Sequence, residues 1–229
     1  MAPNVTTRAA VHAALGDPVR LSIADDLVCS DRSPKELGDR LGIGSNLLAH
    51  HLDVLESAGV VARSTSAGDG RRKYVRLNHD LVAGMLTQPA LPNRVLFLCT
   101  RNSARSQLAA ALWTARTGKQ ASSAGTDPAP QIHRGALAAA RRAGLTLEDR
   151  PPTVVDRIPA GTQVITVCDL VHEELGTAPN WWHWSTPDPV TGATPASFAR
   201  ALRDLDHRIT LLSSGIHTPR TPESNRSHR

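Results

Sequence analysis

A cysteine and an arginine six positions apart, Cys99 and Arg105, are the residues of this sequence best suited to chemistry. Four apolar residues, 95–98, precede the cysteine, and a helical pattern of apolar positions follows Ser106. This pattern predicts a strand, a tight loop and a helix. Backbone N–H groups between a strand end and a helix N-terminus converge on one point, where the helix dipole adds positive potential. The stretch therefore predicts a binding site for a tetrahedral oxyanion.

The side chains of the loop suit that chemistry. We expect Cys99 to act as a thiolate nucleophile, because helix N-termini and nearby cations lower a thiol pKa from its usual ~8.5. The planar fork of Arg105 can hold two oxygens of a phosphate or arsenate. Ser106 can donate a hydrogen bond to the thiolate, and Asn102 tolerates the left-handed backbone that a tight loop demands. The remaining predicted anion-binding residues are Thr100, Arg101, Ser103 and Ala104.

The alternative is a buried core cysteine beside a surface arginine, but the flanking strand and helix patterns favour the site. The loop resembles that of the low-molecular-weight protein tyrosine phosphatases and of the arsenate reductases that share their fold. Their pattern Cys-x-x-Asn-x-x-Arg-Ser is matched by Cys99, Asn102, Arg105 and Ser106. The resemblance covers roughly residues 94–212 and implies a three-layer α/β domain with a parallel sheet.

The resemblance also implies a general acid in an Asp-Pro pair, which Asp188 and Pro189 match; the alternative for this pair is an ordinary turn. Val190 follows where eukaryotic-type members carry an aromatic residue, which disfavours phosphotyrosine as the substrate. Cys168 aligns with the first resolving cysteine of thioredoxin-coupled arsenate reductases, but no cysteine lies near Leu175, where the second is expected. Arsenate reduction would then need an external thiol.

The N-terminal third predicts short helices followed by a β-hairpin. The run 33–36 (SPKE) is a helix start, with a serine cap, proline at the first helical position and glutamate at the third. A glycine turn at 42–44 leads to a longer helix that we expect Ser45 to cap. Two helices joined in this way are a helix-turn-helix pattern. The side chains expected in the DNA major groove are those of Ser45, Asn46, Ala49 and His50.

A flexible basic tip between two predicted strands, 60–63 and 74–77, would be a wing that contacts DNA phosphates. Its charged residues are Arg71, Arg72 and Lys73. The alternative is a helical bundle with a solvated loop. The runs 14–23 (ALGDPVRLSI) and 48–61 (LAHHLDVLESAGVV) resemble the ArsR-type winged-helix repressors. The resemblance covers roughly residues 7–86 and implies a homodimer on double-stranded operator DNA, with half-sites ~34 Å apart.

The metal-sensing thiolates of that family normally lie in the first helix of the pair, which here lacks cysteine. Cys29 is nearby, but a single thiolate is a poor metal site, and we interpret it as a core residue. We therefore expect no metal in this domain and no cofactor in the protein.

The length of the chain suits one large domain or two small ones. The chain has 229 residues, a net charge of +5 and a pI near 9.7, which favour an anionic partner. Three distant cysteines, no apolar signal core and no run of membrane-spanning length predict a cytoplasmic protein without membrane contact. The predicted boundaries are a winged helix at 1–86, a linker at 87–92, a phosphatase-like domain at 93–213 and a disordered tail at 214–229.

The sequence thus predicts a DNA-binding transcriptional regulator, a repressor, with a fused domain that binds or hydrolyses a phosphate- or arsenate-type oxyanion. Two alternatives stay open: an arsenate reductase that uses an external thiol and carries its own repressor, and a non-enzymatic sensor of an oxyanion or a phosphorylated small molecule. Because the connector is short, filling the anion loop would alter domain docking, dimer geometry and operator affinity.

Overall fold

The computed structural model describes residues 4–147, 150–176, 178 and 180–214. The N-terminal part contains α1 (Val5–Leu15), α2 (Pro18–Asp26), α3 (Pro34–Leu41), α4 (Ser45–Ser57), β1 (Val61–Thr65), β2 (Lys73–Leu77) and α5 (His79–Val82). The C-terminal part contains β3 (Arg94–Cys99), α6 (Arg105–Thr117), β4 (Gln120–Gly125), α7 (Arg134–Arg142), β5 (Gln163–Thr166), α8 (Asp169–Leu175), β6 (Trp182–His183), α9 (Pro189–Gly192) and α10 (Pro195–Ser214).

The C-terminal part is a four-stranded parallel sheet in the order β4-β3-β5-β6. Its central strand β3 is buried from Val95 to Cys99, as expected for a parallel strand covered on both faces. Large aromatic side chains fill the core around it, with Phe97 in contact with Trp113 and Trp184. The predicted parallel α/β domain is confirmed, and the carboxyl ends of β3 and β5 lead directly to Cys99 and Cys168.

The N-terminal part is helical with a small antiparallel hairpin, β1–β2. The predicted capping box is present: Ser33 accepts from the Glu36 N–H, and the Glu36 carboxylate accepts from the Ser33 N–H. The prediction that Ser45 caps α4 is wrong, because the extended residue Gly44 takes the cap position and Ser45 begins the helix. The leucines of α4 that face inward are Leu48, Leu52 and Leu55.

A short segment before α3 connects the two sheets. The N–H of Asp31 donates to the carbonyl of His183 in β6 at 2.7 Å, and Arg32 forms an antiparallel bridge with Val75 of β2. Residues 30–32, the bridging segment below, therefore lie between the edge of the parallel sheet and the edge of the hairpin. The sequence patterns did not predict this connection, since each of its contacts joins residues far apart in the chain.

The sequence did not predict three elements, because they are very short. The helices α5 and α9 have four residues each, and the strand β6 has two. The predicted tail at 214–229 is wrong at its first residue, because α10 extends to Ser214; residues 215–229 lie outside the described residues. Among the helices that the structure describes, none has both the length and the apolar character needed to cross a bilayer.

Candidate active site

The predicted anion loop runs from Cys99, the last residue of β3, to Arg105, the first residue of α6. The left-handed backbone expected of Asn102 is confirmed, with φ at 44°. Its buried side chain fixes the loop: the amide donates to Ser106 Oγ at 2.9 Å, and its Oδ1 accepts from the Thr153 N–H at 2.9 Å. The strained conformation is thus held by contacts on both sides of the loop.

Three carbonyls of the loop point toward residues 127–133. The carbonyls of Thr100, Arg101 and Ser103 accept hydrogen bonds from the N–H groups of residues 127, 129 and 133 at 3.0, 2.9 and 2.9 Å. In a trans peptide the following N–H points opposite to the carbonyl. The N–H groups of residues 101, 102 and 104 therefore point opposite to these carbonyls, and N–H groups with a common direction are what an anion-binding loop requires.

Gly125, at the end of β4, lies directly against the loop. A Cβ at this position would lie 2.4 Å from the carbonyl oxygen of Thr100 and 3.0 Å from the N of Asn102. Both contacts are to backbone atoms, which cannot rotate away. The loop conformation therefore depends on glycine here.

The thiol of Cys99 lies at the floor of a cavity of about 600 Å³. Its Sγ is 3.0 Å from Ser106 Oγ, as the predicted hydrogen bond requires. The low thiol pKa expected from the sequence is not found. Burial raises the pKa of Cys99, and the opposing effects of the Arg105 charge and the Ser106 hydrogen bond are smaller.

Arg105 and Asp188 meet at the same cavity. The Nη2 of Arg105 donates to Asp188 Oδ2 at 2.9 Å, and its Nη1 donates to the carbonyl of Thr186 at 3.1 Å. The other oxygen of Asp188 accepts from the Val190 N–H at 2.9 Å and caps α9. The Asp-Pro pair therefore begins a short helix rather than forming an ordinary turn, and it places a carboxylate at the cavity. The sequence analysis did not predict a role for Thr186. Its contact with Arg105 uses the backbone carbonyl, which every residue type has.

The rest of the cavity wall is basic and aliphatic. Arg101 lines the rim and forms an ion pair with Asp127. His133 and Arg134 stand at the start of α7 on the opposite wall. Among the described residues, no phenylalanine, tyrosine or tryptophan lines this cavity. The wall offers cations and small apolar groups rather than a stacking surface.

The structure also shows where the other two cysteines lie. Cys168 caps α8 and its Sγ lies 3.4 Å from Thr100 Oγ1 of the anion loop. Cys29 is half-buried and packs against the cores of both parts, which fits its interpretation as a core residue. Burial raises the pKa of the Cys29 thiol to about 12.

The candidate DNA-contacting side chains are all exposed: Ser45, Asn46, Ala49 and His50 on α4, and Arg71, Arg72 and Lys73 on the hairpin. Three of them, Ser45, Ala49 and Lys73, border one groove of about 710 Å³ between α3, α4 and the hairpin. Two carboxylates, of Asp39 and Asp53, also border this groove.

The predicted flexibility of the hairpin tip is not what the structure shows, because α8 holds the tip from the C-terminal part. The N–H of Ala67 donates to Asp169 at 2.7 Å, and the N–H of Asp69 donates to Glu173 at 2.8 Å. The hydroxyl of Ser66 also donates to Glu173, at 2.7 Å. Carboxylates that accept backbone N–H groups make strong charge-assisted hydrogen bonds. The base of the tip is therefore fixed.

Comparison with known proteins agrees with this geometry. The family model described as low molecular weight phosphotyrosine protein phosphatase matches residues 94–218, more than half of the chain. The chain belongs to the low molecular weight phosphotyrosine protein phosphatase family, and the resemblance predicted for its C-terminal part is confirmed.

Solved structures similar to this chain include an arsenate reductase from Archaeoglobus fulgidus (27% identity, 52% of this chain and 98% of that chain, TM-score 0.45). A thioredoxin-dependent arsenate reductase from Corynebacterium glutamicum is 27% identical over 56% of this chain and 64% of its own, with a TM-score of 0.43. An arginine phosphatase from Geobacillus stearothermophilus is 21% identical over 55% of this chain and 93% of its own, with a TM-score of 0.45. No curated protein sequence matches the chain.

Proposed function

We propose that the C-terminal domain is a cysteine-dependent phosphatase and that the N-terminal domain is a winged-helix repressor module that binds operator DNA as a homodimer. The observation that carries the enzymatic half is the meeting of Cys99, Arg105 and Asp188 at one cavity, with the arginine 2.9 Å from the carboxylate. A nucleophile, an anion-binding fork and a proton donor are the three groups that phosphoryl transfer through a thiol requires.

The proposed reaction has two steps. The Cys99 thiolate attacks phosphorus, the bond to the ester oxygen breaks, and that oxygen takes a proton from Asp188. Water then attacks the thiol-phosphate, Asp188 accepts its proton, and inorganic phosphate leaves with the thiolate restored. Arg105 and the loop N–H groups stabilise the charge on the phosphoryl oxygens. A positioned acid contributes a factor of ~10²–10⁴ to such a rate.

Turnover of p-nitrophenyl phosphate tests the enzymatic half. Cys99→Ser should abolish turnover while leaving phosphate binding in place, because serine is a far weaker nucleophile of similar size. Arg105→Lys should weaken both, because lysine keeps the charge and loses the fork. Wild-type protein that binds phosphate but turns over no ester would instead be a non-enzymatic sensor.

Arsenate reduction is the second candidate, favoured by the lack of phenylalanine, tyrosine or tryptophan among the described residues of the cavity wall and by the placement of Cys168 beside the anion loop. Arsenate would take two electrons from two thiols, Cys99 and an external thiol. The thiols end as a mixed disulfide, while arsenite and water leave. Arsenate-dependent thiol consumption that Cys99→Ser abolishes would identify this activity, and its absence would leave the phosphatase.

The regulatory half is supported by the helix pair α3–α4 with its glycine turn, the exposed residues of α4 and the basic hairpin tip. Arg71, whose side chain is 95% exposed, is the best probe of phosphate contact. Arg71→Ala should weaken binding to all duplexes alike and reduce the salt slope by about 1. Arg142→Ala, which removes an exposed arginine on α7, is the control and should leave the slope unchanged. A change in sequence preference would contradict the wing assignment.

The proposal includes coupling between the domains. The anion loop reaches the hairpin tip through Thr100, Cys168 and α8, whose Asp169 and Glu173 hold the tip. An oxyanion in the loop would therefore alter the presentation of the tip to DNA. Operator affinity measured at fixed salt against increasing phosphate tests this, and an unchanged affinity at saturation would refute it.

A further inference from the structure

The carboxylate of Asp31 is buried between the two parts of the chain, with its side chain 2% exposed. It belongs to the bridging segment, and Arg208 of α10 holds it with two parallel hydrogen bonds, at 3.1 Å to Oδ1 and 2.6 Å to Oδ2. Arg76 adds a second positive charge 3.7 Å from Oδ2. Three elements that are distant in sequence thus fix the position of this carboxylate.

The fixed carboxylate in turn holds the segment that leads to the proposed acid. The N–H of Ser185 donates to Asp31 Oδ2 at 2.8 Å. One residue before, the indole of Trp184 donates to the carbonyl of Cys29 at 2.9 Å. One residue after, the carbonyl of Thr186 accepts from Arg105. Residues 184–188, the acid segment, are therefore tied to the N-terminal part at their start and to the anion-binding arginine at their middle.

We propose that Asp31 is a positioning residue for the reaction at Cys99: from the N-terminal domain, it fixes the acid segment so that Thr186 orients Arg105 and Asp188 reaches the leaving oxygen. The inference rests on the proposed function for the chemical step. Asp31 touches neither the thiol nor the cavity wall, so its effect passes through the acid segment. The N-terminal domain then completes the active site as well as binding DNA.

The proposal can be tested by replacing one carboxylate oxygen of Asp31 with an amide NH₂ group. Asp31→Asn keeps the size of the side chain, but an amide has one acceptor oxygen where the carboxylate has two. If that oxygen faces Ser185, the amide NH₂ opposes the Arg208 guanidinium; if it faces away, the Ser185 N–H loses its acceptor. Either orientation loosens the acid segment.

The matched control is Glu36→Gln. Glu36 is another carboxylate between the two parts, half-buried where Asp31 is buried, and it is bonded to His172 of α8 at 2.9 Å. It has no contact with residues 184–188 among the described hydrogen bonds. Loss of the negative charge in this contact should weaken domain packing without reaching the acid segment. An effect specific to acid positioning should appear in the Asp31 variant and not in the Glu36 variant.

The measurement is kcat/KM of the full-length protein on two esters. Phenyl phosphate has a poor leaving group that needs a proton, whereas p-nitrophenyl phosphate has a good one that needs little help. Asp31→Asn should lower kcat/KM for phenyl phosphate about tenfold more than for p-nitrophenyl phosphate, because proton donation is what it disturbs. The Glu36→Gln ratio should equal the wild-type ratio. An unchanged ratio in Asp31→Asn would overturn the proposal and leave a purely structural ion pair.

A protein that hydrolyses neither ester would refute the phosphatase but not the placement of Arg105. The affinity for inorganic phosphate then decides: about a tenfold loss in Asp31→Asn alone supports positioning, and equal affinities in all three proteins overturn it. If Asp31→Asn does not fold, Arg208→Lys replaces it, because it keeps the positive charge and removes one of the two hydrogen bonds to Asp31. In Arg208→Lys, the kcat/KM ratio for the two esters and the affinity for inorganic phosphate should change in the same direction by a smaller factor. A ratio and an affinity equal to those of the wild type would overturn the proposal.

Discussion

Cys99 is subject to two opposing electrostatic effects. Burial raises the pKa of its thiol, while the charge of Arg105 and the hydrogen bond with Ser106 favour the thiolate and lower that pKa by less. Burial therefore favours the neutral thiol of the residue that looked most reactive from its spacing. Formation of the nucleophile thus requires that a proton leave Cys99, which makes the reaction pH-dependent.

The raised pKa predicts slow alkylation of Cys99 by iodoacetamide at neutral pH, with a rate that rises as pH increases. The midpoint should lie above the usual thiol pKa of ~8.5, because burial raises the pKa of Cys99 and the thiolate is the reactive form. Mass spectrometry of the modified peptide, with Cys99→Ser to subtract the other two cysteines, measures it. A midpoint below 7 would show that the loop dipoles dominate over burial.

The close contact of Gly125 with the anion loop predicts the effect of Gly125→Ala. The added Cβ meets backbone atoms of Thr100 and Asn102, so the loop must shift and its N–H groups lose their common direction. Phosphate affinity should fall at least tenfold, with a stability loss of about 1–3 kcal/mol from overpacking. Calorimetric titration measures the affinity. The control is Gly70→Ala, where a Cβ meets nothing within 4 Å; equal losses in both variants would contradict the argument.

Some elements of this fold can be predicted from the local sequence and others cannot. The anion loop was predictable because β3, the loop and the start of α6 are adjacent in the chain, so the pattern of apolar residues, cysteine, asparagine and arginine is local. The capping box of α3 was predictable for the same reason. The contacts of α8 with the hairpin tip and those of the bridging segment were not predictable, because their partners lie about 100 to 150 residues away. The strand β6 was not predicted because it has only two residues.

The contact between α3 and α8 gives an element-scale prediction for pH. Burial alone would raise the pKa of Glu36, but hydrogen bonds from His172 and Ser33 outweigh it and lower the pKa to about 2 from 4.5. A carboxyl with a lowered pKa in the folded state stabilises that state above its unfolded pKa, and the effect fades as pH falls from about 5 toward 2.

Wild-type protein should therefore lose about 1–3 kcal/mol more than Glu36→Gln between pH 7 and pH 3. Urea unfolding at several pH values, followed by circular dichroism, measures the difference. Parallel pH curves for the two proteins would mean that Glu36 is no better stabilised in the folded state than in the unfolded chain.

At the scale of the whole molecule, the two parts are joined by polar contacts that are buried rather than by a mobile connector. The Asp31–Arg208 pair lies at the centre of this interface, and the Glu36–His172 and Glu173–Ser66 hydrogen bonds lie beside it. A buried charge without its partner is far more costly than a surface charge. We therefore expect the two parts to unfold together.

Arg208→Met tests this expectation, because it leaves the Asp31 carboxylate buried opposite an apolar side chain. The loss should be about 3–5 kcal/mol, moderated by Arg76. The double variant Asp31→Asn/Arg208→Met should lose clearly less than the sum of the two single losses, because it removes both charges. Urea unfolding monitored in both parts gives the values; strictly additive losses would show that the pair is not coupled.

The bridging segment also determines which sheet edge becomes exposed when the chain is cleaved between its two parts. Sheet edges that lack a neighbour tend to recruit another polypeptide and to aggregate, and here residues 30–32 cover β6 on one side and β2 on the other. Proteolysis near residue 90 would separate residues 30–32, which stay on β2, from β6, and would uncover that edge of the parallel sheet together with the free side of the bridging segment. Products cut at that point should therefore be prone to self-association, and each half shields the other from it throughout the life of the intact polypeptide.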